Sequence, residues 1–94
     1  MTTNILWSIV AAIRITEGVH SSHPYGIIPK YHNTTPQRAC FNTVNHFYLA
    51  HPQLMLTRGS IKQLSDVYCP QSVDPVGNRN WNNNMVKLLH ITTQ

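Results

Sequence analysis

Residues 35–52 read Thr-Pro-Gln-Arg-Ala-Cys-Phe-Asn-Thr-Val-Asn-His-Phe-Tyr-Leu-Ala-His-Pro. Thr35 suits a helix N-cap, because its hydroxyl can accept from an amide that the first turn leaves bare. Pro36 suits the first helical position, where no amide proton is needed. Cys40, Val44, Phe47 and Tyr48 follow at spacings of four, three and one, which places them on one helical face. Pro52 closes the element, since the residue before a proline avoids the α region. The stretch therefore reads as a helix over 36–50, with Phe41 and Leu49 off the main stripe.

Working toward the C-terminus, Arg58-Gly59 reads as a turn. Ser60 with Gln63 three residues on matches a capping box. Ile61, Leu64, Val67 and Tyr68 give the helix that follows an apolar face, and Cys69-Pro70 ends it. Pro70 to Asn80, with two prolines and Gly77, reads as a loop. A last helix is expected from about Asn80 or Asn82. Trp81, Met85, Leu88 and Leu89 lie at i, i+4, i+7 and i+8 on one face of it. Such a stripe is either core or a surface that docks into a partner's groove. Lys87 and His90 near its end suit the helix dipole.

Working toward the N-terminus, residues 20–34 read as a loop broken by Pro24, Gly26 and Pro29. Ahead of it stands Ile5 to Ile13, nine residues with one polar member. This run is too short to span a bilayer, which takes about 20 apolar residues. Its length matches the apolar part of a secretory signal, and Val19-His20-Ser21 offers a cleavage site. Against that, Met1 to Asn4 has no Lys or Arg, and Arg14 and Glu17 interrupt the approach to the site. The competing reading is a first core helix, capped by Thr3 or Asn4 and ending near Ile15. The domain reading is a hydrophobic segment over 1–21, signal-like or a first helix, and a single small helical domain over 22–94. The fold class is mainly α: a small irregular bundle of three to four short helices with long Pro/Gly-containing loops.

Composition narrows function by what is missing. The chain has 94 residues and only 11% are charged, against about 25% in an average soluble domain. Its acids are Glu17, Asp66 and Asp74. Polarity comes from nine Asn, nine Thr, six His and five Gln. Little charge repulsion keeps such a surface soluble. That fits a glycosylated exported protein, a chain packed on a partner or membrane, or a reading frame that selection has not shaped. The net charge is +4, but Arg14, Lys30, Arg38, Arg58, Lys62, Arg79 and Lys87 are spread singly. A nucleic-acid footprint needs clustered bases, so no nucleic-acid partner is expected.

Few residues point to chemistry. Cys40 and Cys69 are the only cysteines; on export they are a disulfide candidate, and otherwise Cys40 reads as a buried thiol. Asn33-Thr34-Thr35 is a glycosylation candidate at Asn33. His20, His23 and His32 lie together in the loop. They have no nearby cysteine and one local carboxylate, so they read as exposed side chains, and no metal is expected. Cys40 and His46 are six apart on a helix and face different ways, with no acid to orient the imidazole. No enzyme and no cofactor are expected.

The functional expectation is a small exported, non-catalytic binding or accessory protein of unknown protein partner. Its partner-binding candidates are Trp81, Met85, Leu88 and Leu89. A second expectation is a membrane-associated micro-protein that keeps its N-terminus and meets the bilayer through residues 5–13. A third is an orphan reading frame with no selected activity. Location follows the first segment: secreted or membrane-associated if it is signal-like, cytoplasmic if it is core.

Overall fold

The structure is a computed structural model and describes residues 1–18, 25, 34–51 and 55–92. It is mainly α, with four helices and no strand among the described residues. They are α1 (Thr3–Glu17), α2 (Pro36–Ala50), α3 (Arg58–Tyr68) and α4 (Pro75–Leu88). The chain divides into two compact units, Met1–His51 and Pro52–Gln94. The first is built by α1 on α2, the second by α3 on α4.

In the first unit the apolar run of the N-terminus folds as a helix. Thr2 caps it, its hydroxyl accepting from the Ile5 amide at 3.3 Å. Leu6, Ile9, Val10, Ala12 and Ile13 are buried, while Ile5 and Ile15 are exposed. The helix thus has an inner and an outer face despite apolar residues all round. Gly18 ends it with φ 93°, a value open to glycine and strained for other residues. Its amide reaches back to the Arg14 and Ile15 carbonyls. In α2 the Thr35 hydroxyl accepts from the Arg38 amide at 3.1 Å, with Pro36 in the first turn. Cys40, Phe41, Val44 and Tyr48 are its buried face. Phe41 therefore belongs to the core, where it stacks on Trp7 with ring centroids 4.2 Å apart. Phe47 sits at the margin, edge-on to Tyr48 and beside His51.

In the second unit both helices begin earlier than the sequence reading placed them. Thr57, not Ser60, caps α3. Its hydroxyl accepts from the Ser60 amide, and the Ser60 hydroxyl accepts from the Thr57 amide, both at 3.1 Å. Arg58 and Gly59, read as a turn, are the first two helical residues. The reciprocal bonds satisfy two amides that a start at Ser60 would leave to water. Helix α4 starts at Pro75, within the stretch read as a loop. Asp74 accepts from the Gly77 amide at 2.9 Å, and Pro75 needs no amide partner at the first position. Gly77 lies close under this cap: a Cβ there would run into the Asp74 carboxylate and crowd the Cys69 sulfur. The far end of α4 is a Schellman motif. His90 donates to the Lys87 carbonyl at 3.2 Å and Ile91 to the Val86 carbonyl at 3.0 Å. His90 takes φ 54° to make that turn.

The core of this unit holds Ile61 and Leu64 from α3, Trp81, Met85 and Val86 from α4, and Ile91 beyond it. Tyr68 stacks on Trp81 at 5.3 Å. Val67, read as part of the inner face of α3, is 53% exposed. Three polar residues, Ser60, Ser65 and Asn78, are fully buried.

Candidate functional site

Among the described residues two places gather side chains with chemistry. The first is the polar knot at Asn78, one turn into α4. Its side-chain amide donates to the Cys69 carbonyl at 2.8 Å, to Asp66 Oδ1 at 2.9 Å and to Ser65 Oγ at 3.2 Å. Its carbonyl oxygen accepts from the Lys62 ammonium. Asp66 Oδ1 also accepts from the Gln71 amide at 3.1 Å, and Ser65 donates to the Lys62 carbonyl at 2.7 Å. Every polar atom of Asn78 is engaged within the unit, as burial of an amide requires. The knot ties the C-terminal turns of α3 to the first turns of α4. Its hydrogen bonds are made within the unit, and we read it as structural.

The second place is a groove on the first unit, with a volume of ≈ 490 Å³, lined by Trp7, Ala11, Arg14, Ile15, Tyr25 and Gln37. Trp7, Ala11 and Arg14 stand at i, i+4 and i+7, so a single stripe of α1 builds one wall. Gln37, in the first turn of α2, and Tyr25 complete it. The Arg14 guanidinium lies over the Tyr25 ring, 5.8 Å from its centroid. Arg38 lies over the Phe41 ring at 5.2 Å. A cation over an aromatic face is held there by the ring quadrupole. Trp, Tyr and Arg are also the residue types that dominate binding surfaces.

The residues singled out from the sequence are scattered. Cys40 lies buried in the first unit and Cys69 half-buried in the second, and neither is in a disulfide. The bridge expected on export is thus absent from this structure: Cys40 is fully buried in the inner face of α2, where a second sulfur would need room inside the core. Of the α4 stripe, Trp81 and Met85 are buried, Leu89 is half-buried and Leu88 is exposed. Val86 takes the inner place expected of Leu88, since the inner stripe of α4 runs through Asn78, Trp81, Met85 and Val86. Asn33, His20, His23 and His32 lie outside the described residues. Among the described residues no three of His, Cys, Asp and Glu gather as a metal site would require. Cys40 is buried and His46 exposed on the same helix. No described helix is long and apolar enough to cross a membrane.

Sequence reasoning missed the groove. Its trace was there: Trp7 and Arg14 stand seven apart in a run read for its apolarity alone. Tyr25 carried no signal, since nothing in a Pro/Gly loop says which helix it meets. No protein family matches the chain. No curated protein and no solved structure matches it either.

Proposed function

We propose that the protein is a small non-catalytic binding protein that keeps its N-terminal helix and works through the groove beside it. The observation that carries this is the double role of α1. One face supplies five buried side chains to the first unit, and the neighbouring stripe supplies Trp7, Ala11, Arg14 and Ile15 to the groove. Cleavage at Val19-His20-Ser21 would remove all of them. It would turn Cys40, Phe41, Val44 and Tyr48 toward water and dismantle the groove. Burial of one such side chain is worth about 1.5–3 kcal/mol, so α2 has little reason to stay ordered without its partner.

Membrane association through residues 5–13 is the second reading. It rests on Ile5, which is 37% exposed, beside Ile15 at 58% just past that run. Ile9, Val10 and Ile13 would have to leave the core to join them.

Intact mass after expression in a secretory cell line, with and without reduction and deglycosylation, tests the first reading. A chain retaining residues 1–21 with two thiols is the expected result. A chain starting near Ser22 with a Cys40–Cys69 bridge and a glycan on Asn33 would overturn it in favour of a cleaved, exported protein. Deleting residues 1–21 from recombinant protein should abolish most helical circular dichroism from α2, and a second unit unchanged in its own spectrum would show the loss is local.

A further inference from the structure

The groove has a chemical character that narrows its ligand. Trp7 is half-buried, with its ring stacked on Phe41, which leaves it as an ordered flat wall. Tyr25 is the second aromatic wall. Ala11 and Ile15 make an apolar floor between them, and both are exposed as the unit stands. Arg14 brings a positive charge to the rim and Gln37 an amide. Among the described lining residues there is no carboxylate. A guanidinium positioned over a ring keeps N–H donors for an anion, and it meets a carboxylate with two parallel bonds. A cationic ligand would be repelled by Arg14. A branched aliphatic one would forfeit the ring contacts. The volume, ≈ 490 Å³, falls in the lower part of the range for small-molecule sites, about 300–1,000 Å³.

From these walls and this charge we propose that the groove binds a small planar aromatic carboxylate, its ring against Trp7 and Tyr25 and its carboxylate on Arg14 with help from Gln37. The proposal rests on the binding-protein reading above, because the groove exists only while α1 is in place. The groove is open, so added salt weakens the ion pair.

The test uses the full chain, nitrogen-15 labelled, titrated with 2-naphthoate and followed by amide and indole NMR. Two control probes isolate the terms: 2-naphthamide keeps the rings without the charge, and cyclohexanecarboxylate keeps the charge without the rings. The expected result is a saturable shift of the Trp7 indole and of the Ala11, Ile15 and Gln37 signals, with the Trp81 indole unmoved. Each control should bind about tenfold more weakly or worse, 2-naphthamide through loss of the charge-assisted contact and cyclohexanecarboxylate through loss of the ring contacts. Arg14→Gln should weaken 2-naphthoate to the level of the amide, Arg14→Lys should recover part of it, and Arg79→Gln should change nothing. Equal binding of 2-naphthamide would overturn the carboxylate assignment. Shifts spread over Arg58, Arg79 and Lys87 would reduce the effect to surface ion association and overturn the site. A folded chain with a dispersed Trp7 indole and no saturable shift would overturn the ligand class and leave the binding-protein reading standing. A Trp7 indole at its random-coil position before any ligand is added would overturn both.

Discussion

His90 is held at φ 54° with a side chain that such backbone disfavours. Glycine adopts the same turn without a Cβ conflict, and it is the usual residue at this place in a Schellman motif. His90→Gly should therefore stabilise the second unit by roughly 0.5–1 kcal/mol. The check is the urea midpoint at unchanged slope; a lower midpoint would mean that the imidazole makes a contact worth more than the strain. Asn78 presents the opposite case, a residue whose side-chain oxygen and nitrogen are both engaged. Asn78→Asp keeps the size but loses the donors to Ser65, Asp66 and the Cys69 carbonyl. It also sets a second carboxylate beside Asp66. We expect a loss of about 2 kcal/mol or more, since a buried polar group without its partners bears its full desolvation cost. The Lys62 ammonium, which already donates to this side chain, offsets only part of the loss. A variant as stable as the parent in urea would show that water enters the knot.

At the scale of the element, caps decide where helices begin. Asp74 holds the first turn of α4 through the Gly77 amide. Asp74→Ala should cost about 1 kcal/mol, and Asp74→Asn should recover most of it. Hydrogen exchange at Gly77 and Asn78 is the direct readout: unchanged protection there would mean that tertiary packing alone sets the boundary. The same elements show what was legible in the chain. For α2, the Thr35-Pro36 start, the apolar spacing and Pro52 agreed, and its limits follow from them. Asp74-Pro75 is the same signal in another cap residue, but the prolines and Gly77 around it read as loop chemistry. Helix α1 was ambiguous for a physical reason: an apolar run satisfies a signal sequence and a core helix equally. The run itself does not name its packing partner, which in the structure is α2. Asn78 was illegible, because a hydrogen-bonded core amide and an exposed loop amide have the same sequence.

Over the whole molecule, two helix pairs each carry a separate apolar core, Met1–His51 around α1 and α2, and Pro52–Gln94 around α3 and α4. Neither core is large, and each depends on details outside its aliphatic residues: the Trp7–Phe41 stack in one, the Asn78 knot in the other. With 11% charged residues, few surface ion pairs are there to add to them. The described lining of the groove lies within Met1–His51. A ligand there raises the stability of that pair by mass action, and its effect on melting should appear first in the signals of α1 and α2.

The chain also carries a timer in each half. Cys40 is sealed inside the first pair, and Cys69 is half-open at the end of α3. A thiol reagent added to native protein should modify Cys69 promptly, while Cys40 waits for its pair to open. The two rates, separated by mass spectrometry of peptides, would report how often each half breathes. Equal rates would mean that Cys40 is not sealed at all. A compound that lengthens the Cys40 delay without touching Cys69 would announce itself as a ligand of the first half before anyone knew what it resembled in the cell.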